Sequence, residues 1–211
     1  MTDKPLVTVF GSLHYDIMVD SPDRPRKGET LAGSAWFPKC GGKGGNQAVA
    51  AARAGVPAAM IGAVGDDDFG RALIANLDRR GVDRGHVRVL GSAGSGMSVA
   101  IFDADGDYGA VIVSGANLLL GEADVAAASD LLARTGVLVL QNEVPDAANA
   151  KVAAAARAAG ARVLLNAAPA RALSAELQSN VDILVVNAVE AADVSGRGVT
   201  GPAAALGVAA E

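Results

Sequence analysis

Seven residues, Gly41-Gly42-Lys43-Gly44-Gly45-Asn46-Gln47, hold four glycines, one lysine and two amides. Glycines in a turn let backbone N–H groups come close to a ligand and point at it. An alanine-rich helical run, Ala48 to Ala54, follows and adds a positive dipole end with unpaired N–H groups. Lys43 adds a movable cation. The stretch suits a ligand that is negatively charged or rich in hydroxyls; the plainer reading is a tight strand-to-helix turn with an incidental lysine. Other polar residues fall beyond the carboxyl ends of predicted parallel strands, where open α/β sheets bind ligands. They are His14 and Asp16, Asn142 and Glu143, Asn166, and Asn187 with Glu190. Singly, Asp16 fits a turn, Glu143 a solvated loop beside Pro145, and Asn187 with Glu190 a helix cap. Their shared placement at one sheet edge points to a ligand site.

The elements that must position these residues are legible as patterns. Leu6 to Phe10, a short apolar run ending at Gly11, reads as a buried strand. Ile17 to Val19 and Thr30 to Phe37 read as half-exposed strands, the second alternating through Leu31, Gly33, Ala35 and Phe37. The glycine stretch and its helix close at Gly55, just past a helix end. Ala58 to Val64 is a predicted strand, and Asp67 or Asp68 caps a helix over Phe69 to Arg80, closed by Gly81. Met97 to Phe102 and Gly109 to Val113 flank Asp105-Gly106, a hairpin signal. Asp103, Asp105 and Asp107 crowd that turn. Tyr108 and Ser114 stand where a calcium loop needs glycine and glutamate, so the turn reads as solvated.

From Gly121 the pattern is regular: helix Glu122 to Arg134 ending at Gly136, strand Val137 to Gln141, and a helix capped by Asp146 and ending at Gly160. Strand Arg162 to Leu165, a weak helix over Ser174 to Leu177, strand Ile183 to Val186 and the opening of a helix over Gly201 to Glu211 follow. Short connections between alternating helices and strands imply right-handed crossovers and a mostly parallel sheet with helices on both faces.

Composition narrows the class. Hydrophobic residues make up 51% of the 211 positions and charged ones 19%, so the chain is globular. Aromatics are only 3%, leaving the core to Ala, Val and Leu. A net charge of −5 without a basic block argues against nucleic acid as partner. Cys40 stands alone, so there is no internal disulfide and a cytoplasmic setting fits. Met1 to Pro5 is polar, unlike a signal peptide, and runs such as Val181 to Val189 are too short to span a bilayer. The phosphate-loop pattern G-x-x-x-x-G-K-[ST] fails because Phe37 occupies the first glycine's place, and no dinucleotide fingerprint follows the first strand. With His14 and His86 the only histidines, zinc is not indicated, and no G-x-S-x-G elbow offers a nucleophilic serine. Cys40 reads as a small buried filler rather than a nucleophile.

Taken in order, these residues resemble the ribokinase-like, or PfkB, carbohydrate kinases, the ribokinase branch most of all. Gly41 to Ala48 is similar to the family's first signature. Gly11-Ser12 to Asp16, Lys27 to Thr30, Val64 to Asp67, Gly115-Ala116-Asn117, Glu143, Asn166 to Ala170 and Asn187-x-x-Glu190 resemble it too. The resemblance runs from about residue 6 to the end. It implies ATP-dependent phosphorylation of the terminal hydroxyl of a pentose such as ribose, or of a nucleoside. It implies that Asp16 accepts from sugar hydroxyls, that Gly41, Gly42, Lys43 and Asn46 hold others, that His14 lies beside them, and that Glu143 reaches the sugar's far side. Asn187 and Glu190 would act near the phosphates, with Glu190 touching Mg²⁺ through water. The half-exposed strands would form a small sheet lid, about residues 14–38 and 97–113, that closes over the sugar, excludes water and pairs two subunits into a homodimer.

Two departures stand out. His14 occupies a place where the family usually has asparagine, which donates and accepts at one end, whereas imidazole has another shape and can be charged. The family's D-T-x-G-A-G-D signature also has no counterpart, and Ser195 to Gly201 is glycine-rich without the aspartate. The resemblance therefore implies an N-terminal portion, inactive alone. The catalytic aspartate, the phosphate cradle and a potassium site would lie beyond Glu211. A non-catalytic sugar-binding module is the competing expectation.

Overall fold

The computed structural model describes residues 5–209; Met1 to Lys4 and the last two residues of the expected terminal helix lie outside that range. Strand β1 (Leu6–Phe10) is the centre of a six-stranded sheet. The chain leaves it through β2 (His14–Asp20) and β3 (Ala35–Gly41), then returns through helix α1 (Lys43–Arg53) to β4 (Ala58–Gly65). Helix α2 (Asp68–Arg79) leads to β5 (Asp83–Leu90), and β6 (Gly96–Phe102) and β7 (Tyr108–Val113) follow. A 3-10 turn (Gly115–Leu119), α3 (Glu122–Ala127) and α4 (Ser129–Leu132) bring the chain back to β8 (Thr135–Gln141). Then come α5 (Asp146–Ala158), β9 (Arg162–Asn166), α6 (Ala175–Gln178), β10 (Ile183–Val185), α7 (Ala188–Ser195) and α8 (Pro202–Ala209).

The large sheet runs β10-β9-β8-β1-β4-β5, with every pairing parallel. Alternation along its strands builds two cores, as a pleated sheet must. Val9, Met60 and Val64 pack with Ala48 of α1 and with Leu73 and Leu77 of α2 on one face. Phe10, Ile61, Leu138, Leu140 and Leu165 pack with α3 to α6 on the other. A second sheet runs β3-β2-β6-β7 and contains the strands expected to form a lid. The fold is thus the expected α/β arrangement with helices on both faces and a small accessory sheet.

Several boundaries differ from the sequence reading, each for a local reason. Helix α1 starts at Lys43, not Ala48, so Gly44 and Gly45 lie in its first turn. A Cβ on Gly44 would sit 2.7 Å from Ser12 N, and one on Gly45 2.9 Å from a Leu13 methyl, so these glycines serve helix–strand approach rather than a turn. Only Gly42, at φ 82°, supplies the positive dihedral in this stretch. The strand expected over Thr30 to Phe37 begins at Ala35 and runs to Gly41, because the ladder to β2 pairs Asp20 with Ala35 and ends at His14 with Gly41. Pro38 is tolerated there because β3 is an edge strand.

The helix expected over Glu122 to Arg134 breaks at Ala128, whose φ/ψ of −99°/12° ends α3. Gly136 is inside β8 rather than at a helix end, because Pro5 lies where its side chain would go. Asp67 caps α2 as predicted, but Asp146 is the first residue of α5, with Pro145 at the cap. The sequence pattern offers nothing for β5; Asp83-Arg84-Gly85-His86 is polar because this is the other sheet edge, where charge guards open backbone. The aspartate-rich turn is not wholly solvated: Arg24 pairs with Asp103 at 3.3 Å and Asp107 at 3.2 Å.

Candidate functional site

Chain order reverses direction at β1: β4 lies on one side of it and β8 on the other. Such a switch point opens a crevice at the carboxyl ends of the two strands, and the polar residues meet there. Ser12 follows the end of β1, His14 opens β2, Glu143 follows the end of β8, and Lys43 and Asn46 lie at the start of α1. Asp16 and Ser98 come from the lid. His14, Asp16, Gly42, Lys43, Asn46 and Glu143 line one cleft of about 340 Å³, roofed by Met18, Ala100, Phe102, Tyr108, Ala110 and Ile112. Even-numbered residues of β2, β6 and β7 thus face the cleft, as strand alternation requires.

The floor is a hydrogen-bonded frame around Glu143. Its Oε2 accepts from Ser12 Oγ and, at 2.9 Å, from the N–H of Lys43, while Lys43 Nζ lies 3.7 Å from Oε1. Gly44 N–H donates to Ser12 Oγ at 3.3 Å, which ties the helix start to the end of β1. Asp16 stands opposite. Ser98 Oγ donates to its Oδ1 at 2.6 Å, and its Oδ2 lies where a side chain on Gly41 would go. A Cβ on Gly42 would meet His14 N at 2.7 Å and Ser12 O at 2.8 Å. The glycines therefore let Asp16 and the β1–β2 crossing pack against the start of the helix.

His14 is buried, 4% exposed, with Nδ1 3.7 Å from Glu143 Oε2 and Nε2 3.3 Å from Asn117 Nδ2. Burial pushes its pKa below 6.5; Glu143 and Asp16 pull it up and Lys43 pushes it down, without reversing the balance. The ring is neutral near pH 7, so its approach to Glu143 is not an ion pair. The cleft pairs two carboxylates with an ammonium and several N–H donors, bounded by an apolar roof. That arrangement suits a small, neutral, polyhydroxylated ligand.

Other predicted residues lie elsewhere. Asn187 Oδ1 accepts from Glu190 N at 2.9 Å, and Glu190 Oε2 accepts from Asn187 N at 2.8 Å, a capping box that starts α7. Neither lines the cleft with Asp16 and Glu143. Asn142 turns away, donating from Nδ2 to Pro169 O at 3.0 Å. A larger hollow of about 960 Å³ borders β10, α7 and α8; Asn187 lines it, and no titratable side chain does. Among the described residues no three His, Cys, Asp or Glu side chains gather as a metal site, and no helix is long and apolar enough to cross a membrane. Glu190 uses Oε2 for its cap bond. Sequence reasoning missed Ser98 as a partner of Asp16. The only signal was its register opposite Asp16 in the neighbouring strand.

The model of the pfkB family carbohydrate kinases matches residues 4–211. The chain belongs to that family. A ribokinase from Haemophilus influenzae is 35% identical over 190 residues, covering 90% of this chain and 62% of the relative. A deoxyribokinase from Salmonella typhi is 34% identical, covering 87% of this chain and 60% of the relative. The structure of Arabidopsis thaliana ribokinase complexed with ribose and ATP superimposes with a TM-score of 0.89 at 30% identity, covering 98% of this chain and 68% of that one. The chain thus spans about 62% of the length of the curated ribokinase it matches. Of the glycine-rich stretch, Gly42, Lys43 and Asn46 line the cleft.

Proposed function

We propose that the protein is part of an ATP-dependent kinase that phosphorylates the terminal hydroxyl of a pentose such as ribose, with the described residues holding the sugar. One observation carries this reading: Asp16, Lys43, Asn46 and Glu143 converge on a single roofed cleft at the switch point of a parallel sheet. Asp16 and Glu143 accept from sugar hydroxyls, Lys43 and Asn46 donate to others, and Gly42 admits the ring close to backbone. The lid holds water away from the reacting end. Phosphoryl transfer depends mainly on position and charge stabilisation. The chain's own contribution is to hold and orient the hydroxyl-bearing ligand.

ATP is the donor in this reading, which the complex of the Arabidopsis relative with ribose and ATP supports. Asn187 and Glu190 are proposed to lie toward the phosphates, with Glu190 holding Mg²⁺ through water. No described residue is assigned to potassium. The outer face of the lid supports a homodimer. Trp36 and Val111, on the face turned away from the cleft, are 69% and 70% exposed, an apolar surface that a second copy would cover.

A coupled ADP-release assay with MgATP on a full-length enzyme that carries this chain, across D-ribose, 2-deoxy-D-ribose and nucleosides, tests the reading; turnover on a pentose supports it, and none on any of them sinks it. One observation favours a second reading, a sugar-binding module without catalysis. Asp16 takes the Ser98 hydroxyl on Oδ1, and Glu143 takes Ser12 and Lys43 on Oε2, so both cleft acids are held in place as binding groups. Ribose binding without ADP release by that full-length enzyme would select that reading.

A further inference from the structure

Asn117 is fully buried in the 3-10 turn that follows the lid. Its Oδ1 accepts from Leu13 N at 2.9 Å, and its Nδ2 donates to Leu13 O and Ser114 O, each at 2.9 Å. These backbone partners set which end of the amide is which, since a flipped amide would press its oxygen against two carbonyls. The NH₂ end is therefore what His14 Nε2 meets, at 3.3 Å. Two amide protons serve three acceptors there, so the ring shares one. An amide NH₂ accepts nothing, and an N–H on Nε2 would face it donor to donor. The ring proton belongs on Nδ1, which faces Glu143 Oε2 at 3.7 Å. That gap is too long for a hydrogen bond and leaves the N–H for an oxygen entering the cleft.

We propose that Asn117 is a positioning residue that holds His14 as the neutral Nδ1–H tautomer, making the ring a fixed donor at the Glu143 end of the cleft. A ligand hydroxyl bridging the two from the cleft side would accept from His14 and donate to Glu143. This selects a hydroxyl over an ether oxygen, which could not serve Glu143. The assignment of that hydroxyl to a sugar rests on the function proposed above. Protonation would break the arrangement, because it places an Nε2–H against the Asn117 amide. The charged groups facing the ring are Glu143 from the end of β8, Asp16 from β2 and Lys43 from α1. The two acids favour the charged ring, but burial, Lys43 and the Asn117 donor oppose it.

Nitrogen-15 spectra of the histidine rings, recorded through a pH titration, test this. The chain has two histidines, His14 and His86, so His14→Asn assigns the signals. The expected result is one neutral tautomer for His14, protonated at Nδ1, with a midpoint below 6.5. Asn117→Asp exchanges a donor for an acceptor and should move the proton to Nε2 and raise the midpoint. If that variant does not fold, the wild-type spectrum still decides. An Nε2–H ring, a rapid average of both tautomers, or a midpoint at or above 6.5 overturns the inference. In parallel, D-ribose calorimetry on the wild type should show affinity falling about tenfold one pH unit below the midpoint, where only about one molecule in eleven keeps the neutral ring. His14→Asn should show no such fall. Ribose binding that ignores pH there overturns the hydroxyl selection. An Nδ1–H ring without any ribose binding refutes the sugar reading and leaves the tautomer standing.

Discussion

Asp16→Ala separates the two roles of this carboxylate. In the wild type, Oδ1 takes the Ser98 hydroxyl at 2.6 Å, and Oδ2 makes no protein hydrogen bond among the described residues. The open oxygen faces the cleft and is the one a sugar hydroxyl would use. A charge-assisted hydrogen bond is worth roughly 1.5–3 kcal/mol. At about 1.4 kcal/mol per factor of ten, its loss weakens D-ribose binding by roughly 10- to 150-fold. Stability should change less. Ser98, 8% exposed, loses a partner at a cost of about 1 kcal/mol, or roughly 2–4 °C in Tm for a chain of this size. Calorimetry with D-ribose and a thermal melt on the same sample measure both. Two companions sharpen the result. Ser98→Ala leaves the carboxylate in place and should weaken binding less than Asp16→Ala. Gly41→Ala drives a methyl group into the Asp16 carboxylate and should weaken binding although no hydrogen-bonding group is removed. A ribose affinity within about threefold of wild type in Asp16→Ala would remove Asp16 from the site and refute the reasoning, since threefold is only about 0.7 kcal/mol.

Gly44→Ala should lower Tm although alanine is the better helix former. The propensity gain is about 1 kcal/mol, while a Cβ 2.7–2.8 Å from the backbone of Gly11 and Ser12 imposes overpacking of about 1–3 kcal/mol; a raised Tm would show that the helix can back away freely. Asp67→Ala removes acceptors for Gly70 N, Ser95 N and Ser95 Oγ, and should cost about 2–4 kcal/mol in denaturant unfolding. Burial alone would raise the Asp67 pKa, but the bonds from Ser95 and Gly70 outweigh it and hold it below 3.8. Its stabilisation is therefore present above 3.8 and lost as pH falls through the lower folded value, so Asp67→Ala should flatten the acid limb of a stability–pH curve. Glu143→Gln removes the main influence raising the His14 pKa and should shift the His14 midpoint further down in an NMR titration. Val111→Asp places a charge on the outer lid face and should convert any dimer seen by sedimentation to monomer while leaving the melt within a few degrees.

The architecture was legible because its signals are local. Val7, Val9 and Phe10 alternate between two cores, and alanine-rich helices sit between them at short spacing. Such periodicities survive in sequence because each residue obeys its own strand or helix. Errors came where a distant segment decided the outcome. Gly136 reads as a helix end, yet Pro5 makes it a strand glycine. Polar β5 reads as loop, yet the edge of the sheet makes it a strand.

Residue types and order determined that this chain carries a glycine-rich helix start, two well-placed acids and a pfkB-like sequence of motifs. Tertiary structure alone decided what they do to one another. Asp16 and Glu143 are 127 positions apart, and only the crossing of lid and sheet puts both on one cleft. Asn187 and Glu190 form a capping box at the start of α7, a contact that their three-residue spacing already allowed. His14 is held neutral by burial, and its Nε2 meets Asn117, a residue 103 positions away that no spacing rule connects to it. The physical reason is the same throughout: spacing sets the face of an element, whereas burial and donor–acceptor matching depend on which elements meet.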